Sequence, residues 1–283
     1  MFRKLLSLVL FVALMVMGVM AQNNDNLTQR KTTKPINNVN RPASSSLFSS
    51  NVLTITAGGV SFDVVRVKAG TFVMGCTDEQ NGECDNDENP SHRVTISQDY
   101  YIGKFEVTQD LFEAVMGYNP SNWKASNLPV ENVRWDEAQE FCNKLSRMTG
   151  RRFALPTEAQ WEYAARGGMK SVGYKYCGSS DISDVAWYVE NSYRQTHPVG
   201  SLRPNELGLY DMSGNVWEWC QDWYGDYSSS SQRDPKGPNS GSIHVLRGGG
   251  WDLDAESLRV ANRGNYASDF SSGYYGFRVV MMQ

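Results

Sequence analysis

The chain has 283 residues, 40% of them hydrophobic and 20% charged, with a formal net charge of −4. That balance excludes a general nucleic-acid binder, which needs a basic face, and the length allows one large domain with a substantial core. Three histidines, His92, His197 and His244, lie far apart and show none of the ligand spacings that a zinc site requires.

Arg3 and Lys4, the apolar run "LLSLVLFVALMVMGV" and the small residues of Val19-Met20-Ala21 have the layout of a cleaved signal peptide over 1–21. Gln22 follows the cleavage point, so no lipoprotein cysteine stands there, and no later apolar run is long enough to span a membrane. An exported bacterial protein is expected, periplasmic, cell-surface or secreted. Residues 22–51 are rich in Asn, Ser, Thr and Pro and cannot bury enough surface to offset their ordering entropy. They read as a disordered linker, and 52–283 read as one domain.

All five cysteines, Cys76, Cys84, Cys142, Cys177 and Cys220, follow the cleavage point. In an oxidising compartment cysteines tend to pair, and an odd count leaves at least one free or intermolecular. Cys76 and Cys84 flank the short polar loop "CTDEQNGEC", which predicts a local disulfide. Cys142 and Cys220 are open between pairing and burial as free thiols.

In chain order, "GVSFDVVRVKAGTFVMG" alternates like two strands with Ala69-Gly70 as the turn between them. The acid-rich loop 77–90 follows, with Asp85, Asp87 and Glu88 read as solvated, and then strand-like "HRVTISQDYYIGKFEVT". "TQDLFEAVMG" predicts a helix capped by Thr108 and stopped at Gly117, with Leu111, Phe112 and Val115 on one face. "RWDEAQEFCNKLSRMTG" predicts a second, with Trp135, Ala138, Phe141, Cys142 and Leu145 inward. "LPTEAQWEYAARGG" predicts a third: Thr157 is the N-cap, Gln160 completes a capping box, and Glu158 suits the positive helix end. Trp161, Ala164 and Ala165 face inward, and Gly167-Gly168 stops the helix. Residues 169–283 carry no long helical pattern, and 228–242 read as a polar surface loop. The fold class expected is α+β, a single loop-rich domain with few short helices and irregular antiparallel strands.

Two stretches carry candidate chemistry. "DMSGNVWEWCQDWYGDY" places Asp211, Asn215, Glu218, Asp222 and Asp226 among three tryptophans, an oxygen-rich set of the kind Ca²⁺ favours or, equally, an aromatic core segment with locally bonded polar groups. "LRGGGWDLDAESLRVANR" opens on Gly248–Gly250 but starts no helix, so it is no nucleotide loop; close backbone packing or a bulge explains it.

Seven motifs in order, "VKAGTFVMG", "YYIGKFEVTQ", "PVENVRWDEAQEFCNKLS", "LPTEAQWEYAARGG", "NELGLYDMSGNVWEW", "LRGGGW" and "GFRVV", resemble the formylglycine-generating enzyme family of sulfatase-modifying factor domains over about residues 60–281. The resemblance implies a variant of the C-type lectin fold. Active members hold Cu(I) on two cysteines after the RGGS-like turn, soft ligands that suit that ion, and oxidise a substrate cysteine to formylglycine. Here Leu253 and Leu258 stand at those places, Ala154 replaces an Arg before "LPTE", and Val279 replaces a Cys after "GFR". No copper is therefore expected. The resemblance also implies a structural Ca²⁺ held by Asn215, the Val216 carbonyl and Glu218, with backbone from Gly214.

Two functions remain. One is a non-catalytic binding or cell-envelope scaffold module whose ligand, a protein or a glycan, meets Trp251, Asp252, Asp254, Tyr266, Asp269, Phe270, Tyr274 and Tyr275; mixed core and rim is the plainer role for these residues. Aromatics mixed with adaptable polar groups suit such a face. "RGGxW…RVANR…GFR" also resembles the frame of the variable ligand-binding proteins of diversity-generating retroelements. The other is a divergent oxidase acting on a protein or small thiol, with Cys177 or Cys220 brought to the site by the fold.

Overall fold

The structure, a computed structural model, describes residues 51–283. The expected signal peptide 1–21 and nearly all of the expected linker 22–51 lie outside the described residues. Chain order from there is β1 (Val52–Ala57), β2 (Val60–Val67), β3 (Gly70–Met74), β4 (His92–Ile96), β5 (Tyr100–Gly103), α1 (Gln109–Met116), α2 (Trp135–Thr149), β6 (Phe153–Ala154) and α3 (Glu158–Ala165). Six further strands follow with no long helix: β7 (Trp217–Trp223), β8 (Gln232–Arg233), β9 (Ile243–Arg247), β10 (Arg263–Ala267), β11 (Tyr275–Gly276) and β12 (Val280–Met282).

They form three sheets. The first, β1-β2-β5-β12-β6, is antiparallel throughout and places β12 between β5 and β6. The second is β10-β9-β7-β11, with β11 parallel to β7, and the third is β3-β4-β8. The mixed α+β, loop-rich expectation is met. The Ala69-Gly70 reading needs refining, because β2 and β3 join different sheets and Gly70 opens β3 rather than a hairpin turn. Within the polar loop 228–242, Gln232 and Arg233 add a short parallel edge to β4.

The helices form for the reasons their sequences give. The Thr108 hydroxyl caps α1, and Gly117 ends it in the left-handed region at φ 86°. On α3 the capping box closes from both sides, Gln160 N–H to Thr157 Oγ1 at 3.1 Å and Thr157 N–H to Gln160 Oε1 at 3.0 Å. Helix α2 buries Ala138, Phe141, Cys142 and Leu145 against β1, β6 and α1, with Phe141 stacked on Phe112 at 5.6 Å. Nearly every side chain of α3 is buried, Glu158 and Glu162 included, so this helix runs through the core rather than along its surface.

Cys76 and Cys84 form a disulfide, with Cα atoms 5.8 Å apart. Cys142, Cys177 and Cys220 are free and buried, which answers the open question for Cys142 and Cys220. Burial pushes all three thiols up, Cys177 to about 12.

The acidic loop is not uniformly solvated as expected. Asp85 is exposed, but Glu88 is fully buried, and Asp87 accepts from the Tyr224 hydroxyl. The reason is Arg259, whose guanidinium binds Glu88 through both terminal nitrogens at 2.8 and 2.6 Å. A buried ion pair stripped of one partner leaves an uncompensated charge. Arg259→Met should therefore cost about 3–5 kcal/mol in urea unfolding, and adding Glu88→Met should recover most of it. A single-variant loss below about 1 kcal/mol would class the pair with solvent-screened surface bridges.

Candidate functional site

Strand β9 ends at Arg247 and β10 begins at Arg263, and these two residues are register partners. Residues 248–262 are thus an excursion whose ends meet. The fully buried Arg247 clasps it shut, donating to the carbonyls of Val260 (3.0 Å), Ala261 (2.9 Å) and Asn262 (2.5 Å) while pairing with Glu162 at 2.6 Å. Sequence reading saw the glycines and missed the arginine before them. A charged residue at the start of a Gly run is a weak signal until its carbonyl partners are known.

The eight expected ligand residues do not form one uniform face. Trp251 is buried, donates Nε1–H to Gly273 O at 3.1 Å, and packs edge-on against Trp123 (5.3 Å) and beside Tyr274 (5.0 Å). Tyr266, Phe270 and Tyr275 make a second cluster, with centroids 4.1, 5.7 and 5.9 Å apart. Tyr266 and Phe270 are each 40% exposed, which leaves ring area open to a ligand. Asp252 is half-buried with Oδ1 lacking a partner, and burial raises its pKa. Asp254 is exposed and bonded locally. Its Oδ1 accepts from the Ser257 N–H (3.1 Å) and hydroxyl (3.0 Å), capping a short helical turn. Asp269 is exposed on the loop after β10.

Trp217 was not among the expected residues, yet it underlies the site. A β-carbon on Gly264 would stand 2.8 Å from Trp217 Cζ3 and Cη2, and one on Gly250 would stand 3.3 Å from Trp217 Cδ1 and 3.0 Å from Asp252 Oδ1. Gly264 is therefore needed for close approach to the indole, and Gly250 packs tightly against its edge. Tyr275 pairs with Trp217 in the parallel ladder. The legible hint was Gly264, a glycine inside a strand.

The two leucines at the expected copper positions converge, but on an apolar cluster. Leu258 is fully buried with Tyr176, Val185, Ala186 and Tyr188, and Leu253 packs against the same group. Cys177 lies elsewhere, its S–H directed at Met212 O at 3.1 Å, and Cys220 sits within β7 in the core.

The expected calcium set fits only in part. Asn215 Oδ1 accepts the His197 N–H at 3.0 Å, and its Nδ2 donates to Glu106 at 2.7 Å, so that amide is spent. Glu218 is paired with Arg278 at 2.6 and 2.7 Å and also accepts Trp161 Nε1–H at 2.7 Å. What remains of the set is the main chain of Gly214 and Val216. Among the described residues no three His, Cys, Asp or Glu side chains are grouped as metal ligands. Asp211, however, is buried with Oδ1 unpartnered. Glu106, Asp211 and Glu218 are mutually repelling carboxyls near one cation, Arg278. Burial raises both unpaired acids, Asp211 to about 6.

The comparisons with known proteins bear on the family and the fold. The family described as "Sulfatase-modifying factor enzyme 1-like domain" matches residues 60–283. "Chaperone protein LppX" of Paenibacillus barcinonensis is 34% identical over 271 residues, covering 78% of this chain and 90% of that protein. The formylglycine-generating enzyme of Streptomyces coelicolor is 40% identical over 171 residues, and the match spans about half of each, 54% of this chain and 52% of the enzyme. Among solved structures, Treponema denticola variable protein 1 superposes with a TM-score of 0.75 at 34% identity, covering 82% of this chain and 99% of that one. With its fold, motif order and site frame accounted for, the chain belongs to the family of sulfatase-modifying factor enzyme 1-like domains.

Proposed function

We propose that this chain is an exported, non-catalytic binding module that presents the aromatic face around Trp217 to a protein or glycan ligand. The observation that carries the reading is the replacement of a copper-binding thiol pair by Leu253 and Leu258, packed into an apolar cluster. Leucine neither coordinates Cu(I) nor moves a proton. The three free thiols support it further, since burial keeps them protonated at neutral pH and the thiolate is the reactive form. Export is supported by the Cys76–Cys84 disulfide, a bond that persists in oxidising compartments. Binding is supported by the likeness to a Treponema variable protein. A near-copy of the coding segment for 246–278 beside a reverse-transcriptase gene would place the chain among retroelement-diversified proteins, and a locus with neither would remove that refinement.

Anaerobic Cu(I) titration followed by a cysteine-peptide oxidation assay tests the absence of catalysis. No stoichiometric copper binding and no aldehyde are expected; tight binding with aldehyde product would establish the divergent-oxidase alternative instead. For the face itself, protein and glycan ligands can be screened by tryptophan fluorescence. Tyr266→Ala with Phe270→Ala should weaken any ligand found by about 2 kcal/mol with little change in melting temperature, because both rings are already partly exposed.

A structural calcium ion belongs to the same proposal, with Asp211 and the carbonyls of Gly214 and Val216 as its holders. Three carboxyls beside one arginine leave a buried charge imbalance that a divalent cation neutralises. Protonation is the competing settlement. Asp211 has a folded pKa near 6, above its unfolded value of about 3.9. Without metal its contribution to stability is thus complete below about pH 4 and lost as pH rises through 6. With calcium bound, EDTA at pH 7.5 should lower the melting temperature, Asp211→Asn should abolish that response, and the response should fade below pH 6. A melting temperature indifferent to EDTA at pH 7.5 would leave protonation as the answer.

A further inference from the structure

A cavity of about 550 Å³ lies between the start of α3, the end of β7 and the loop Pro235–Pro238, and shares no lining residue with the aromatic face. Its floor carries Glu158, Asp222 and Arg263, its walls Trp223 and Tyr227, and its rim Lys236. The floor charges are unequally served. Arg263 binds Glu158 through Nε (2.7 Å) and Nη2 (2.9 Å), and the Tyr227 hydroxyl donates to Glu158 at 2.9 Å. Asp222, only 3% exposed, makes no ion pair among the described residues. Its recorded side-chain partner is the Glu158 backbone N–H, 2.9 Å from Oδ2. Gly237, at φ 69°, closes over it: a β-carbon there would stand 3.0 Å from Asp222 Cβ and 3.4 Å from Oδ1.

An ionised carboxylate buried without a counter-ion costs several kcal/mol, so a cavity floored by one favours a cation that can be removed from water together with it. Arg263 lies over the Tyr227 ring at 3.9 Å and His244 stacks on Trp223 at 3.8 Å, so the wall rings add attraction for such a cation only through the ring surface these neighbours leave uncovered. The basic groups nearby do not fill the role. Arg263 is committed to Glu158, His92 is 3.2 Å from Pro90 O through Nδ1 and edge-on to the Tyr227 ring, and Arg233 and Lys236 are exposed at the rim. His244, behind Trp223, lies 3.2 Å from the Asp222 carbonyl through Nδ1. Asp226 is exposed at the mouth and adds a second negative group there.

We propose that this cavity binds a small organic ammonium ion, with Asp222 as its counter-ion and Trp223 and Tyr227 as its aromatic walls. Before binding, burial and the neighbouring Glu158 push Asp222 up to about 8, so it is mostly protonated at pH 7. Binding then requires Asp222 to release its proton to solvent.

The test is calorimetry with n-butylamine as probe and n-butanol as its uncharged counterpart. n-Butylamine should saturate one site, and n-butanol should not bind. Asp222→Asn, which keeps an oxygen to accept the Glu158 N–H, should weaken n-butylamine by on the order of tenfold or more. On the wild-type protein at pH 7, titration in two buffers of different ionisation enthalpy should show release of close to one proton per ligand bound. That measurement stands even if the variant folds poorly. Equal binding of the alcohol, undiminished binding by a folded Asp222→Asn, no proton release, or no amine binding at all would each overturn the proposal.

Discussion

Four buried arginine–glutamate pairs hold residues 247–278 to earlier parts of the chain. Arg247 meets Glu162, Arg259 meets Glu88, Arg263 meets Glu158 and Arg278 meets Glu218, all at 2.6–2.7 Å between closest atoms. Each arginine also spends other nitrogens on carbonyls or carboxamides of its surroundings, as Arg278 does on Gly103 and Tyr210. Such pairs are weak sources of net stability because two ions must be desolvated. They are strong sources of uniqueness, because any other packing of residues 247–278 strands several charges at once. In a domain with little regular structure after α3, that constraint takes the place of long helices.

The parts of the fold legible in the sequence are those governed by neighbours. The Thr157–Gln160 box, the Thr108 cap, the inward face of α2 and the Cys76–Cys84 bridge all depend on residues within a few positions of one another, and all are present. The misreadings come from distance along the chain. Glu88 reads as solvated because its partner Arg259 is 171 residues away. The engagement of Asn215 by Glu106 and of Glu218 by Arg278 is likewise invisible in sequence, because each partner lies far along the chain. Ala69-Gly70 reads as a turn between paired strands, but Gly70 opens β3, and local alternation does not say which sheet each strand joins.

The candidate site was legible as a region and not as a surface. Resemblance placed it after Gly250, and the structure places Trp251, Tyr274 and the Tyr266–Phe270–Tyr275 cluster there. Trp217 escaped notice because its role depends on two glycines that lie apart in sequence yet both pack against its indole. Asp254 reads as an exposed acid, and it is exposed, but an Asp three residues before a Ser also reads as a cap, which is how its Oδ1 is used. Leu258 and Leu253 lie in and against an apolar cluster with Tyr176, Val185, Ala186 and Tyr188, so the excursion after Gly250 rests on the core as well as on Arg247.

The position of β12 has a consequence for how the domain is made. Val280–Met282 is hydrogen-bonded on both sides, to β5 and to β6, so until those residues emerge the five-stranded sheet exists only as separate pieces. Arg278 arrives just before them, and until it does Glu218 has no cation to be buried with. The first sheet and the buried Glu218 ion pair therefore cannot be completed until residues 278–282 have been made, long after β1, β2 and β5.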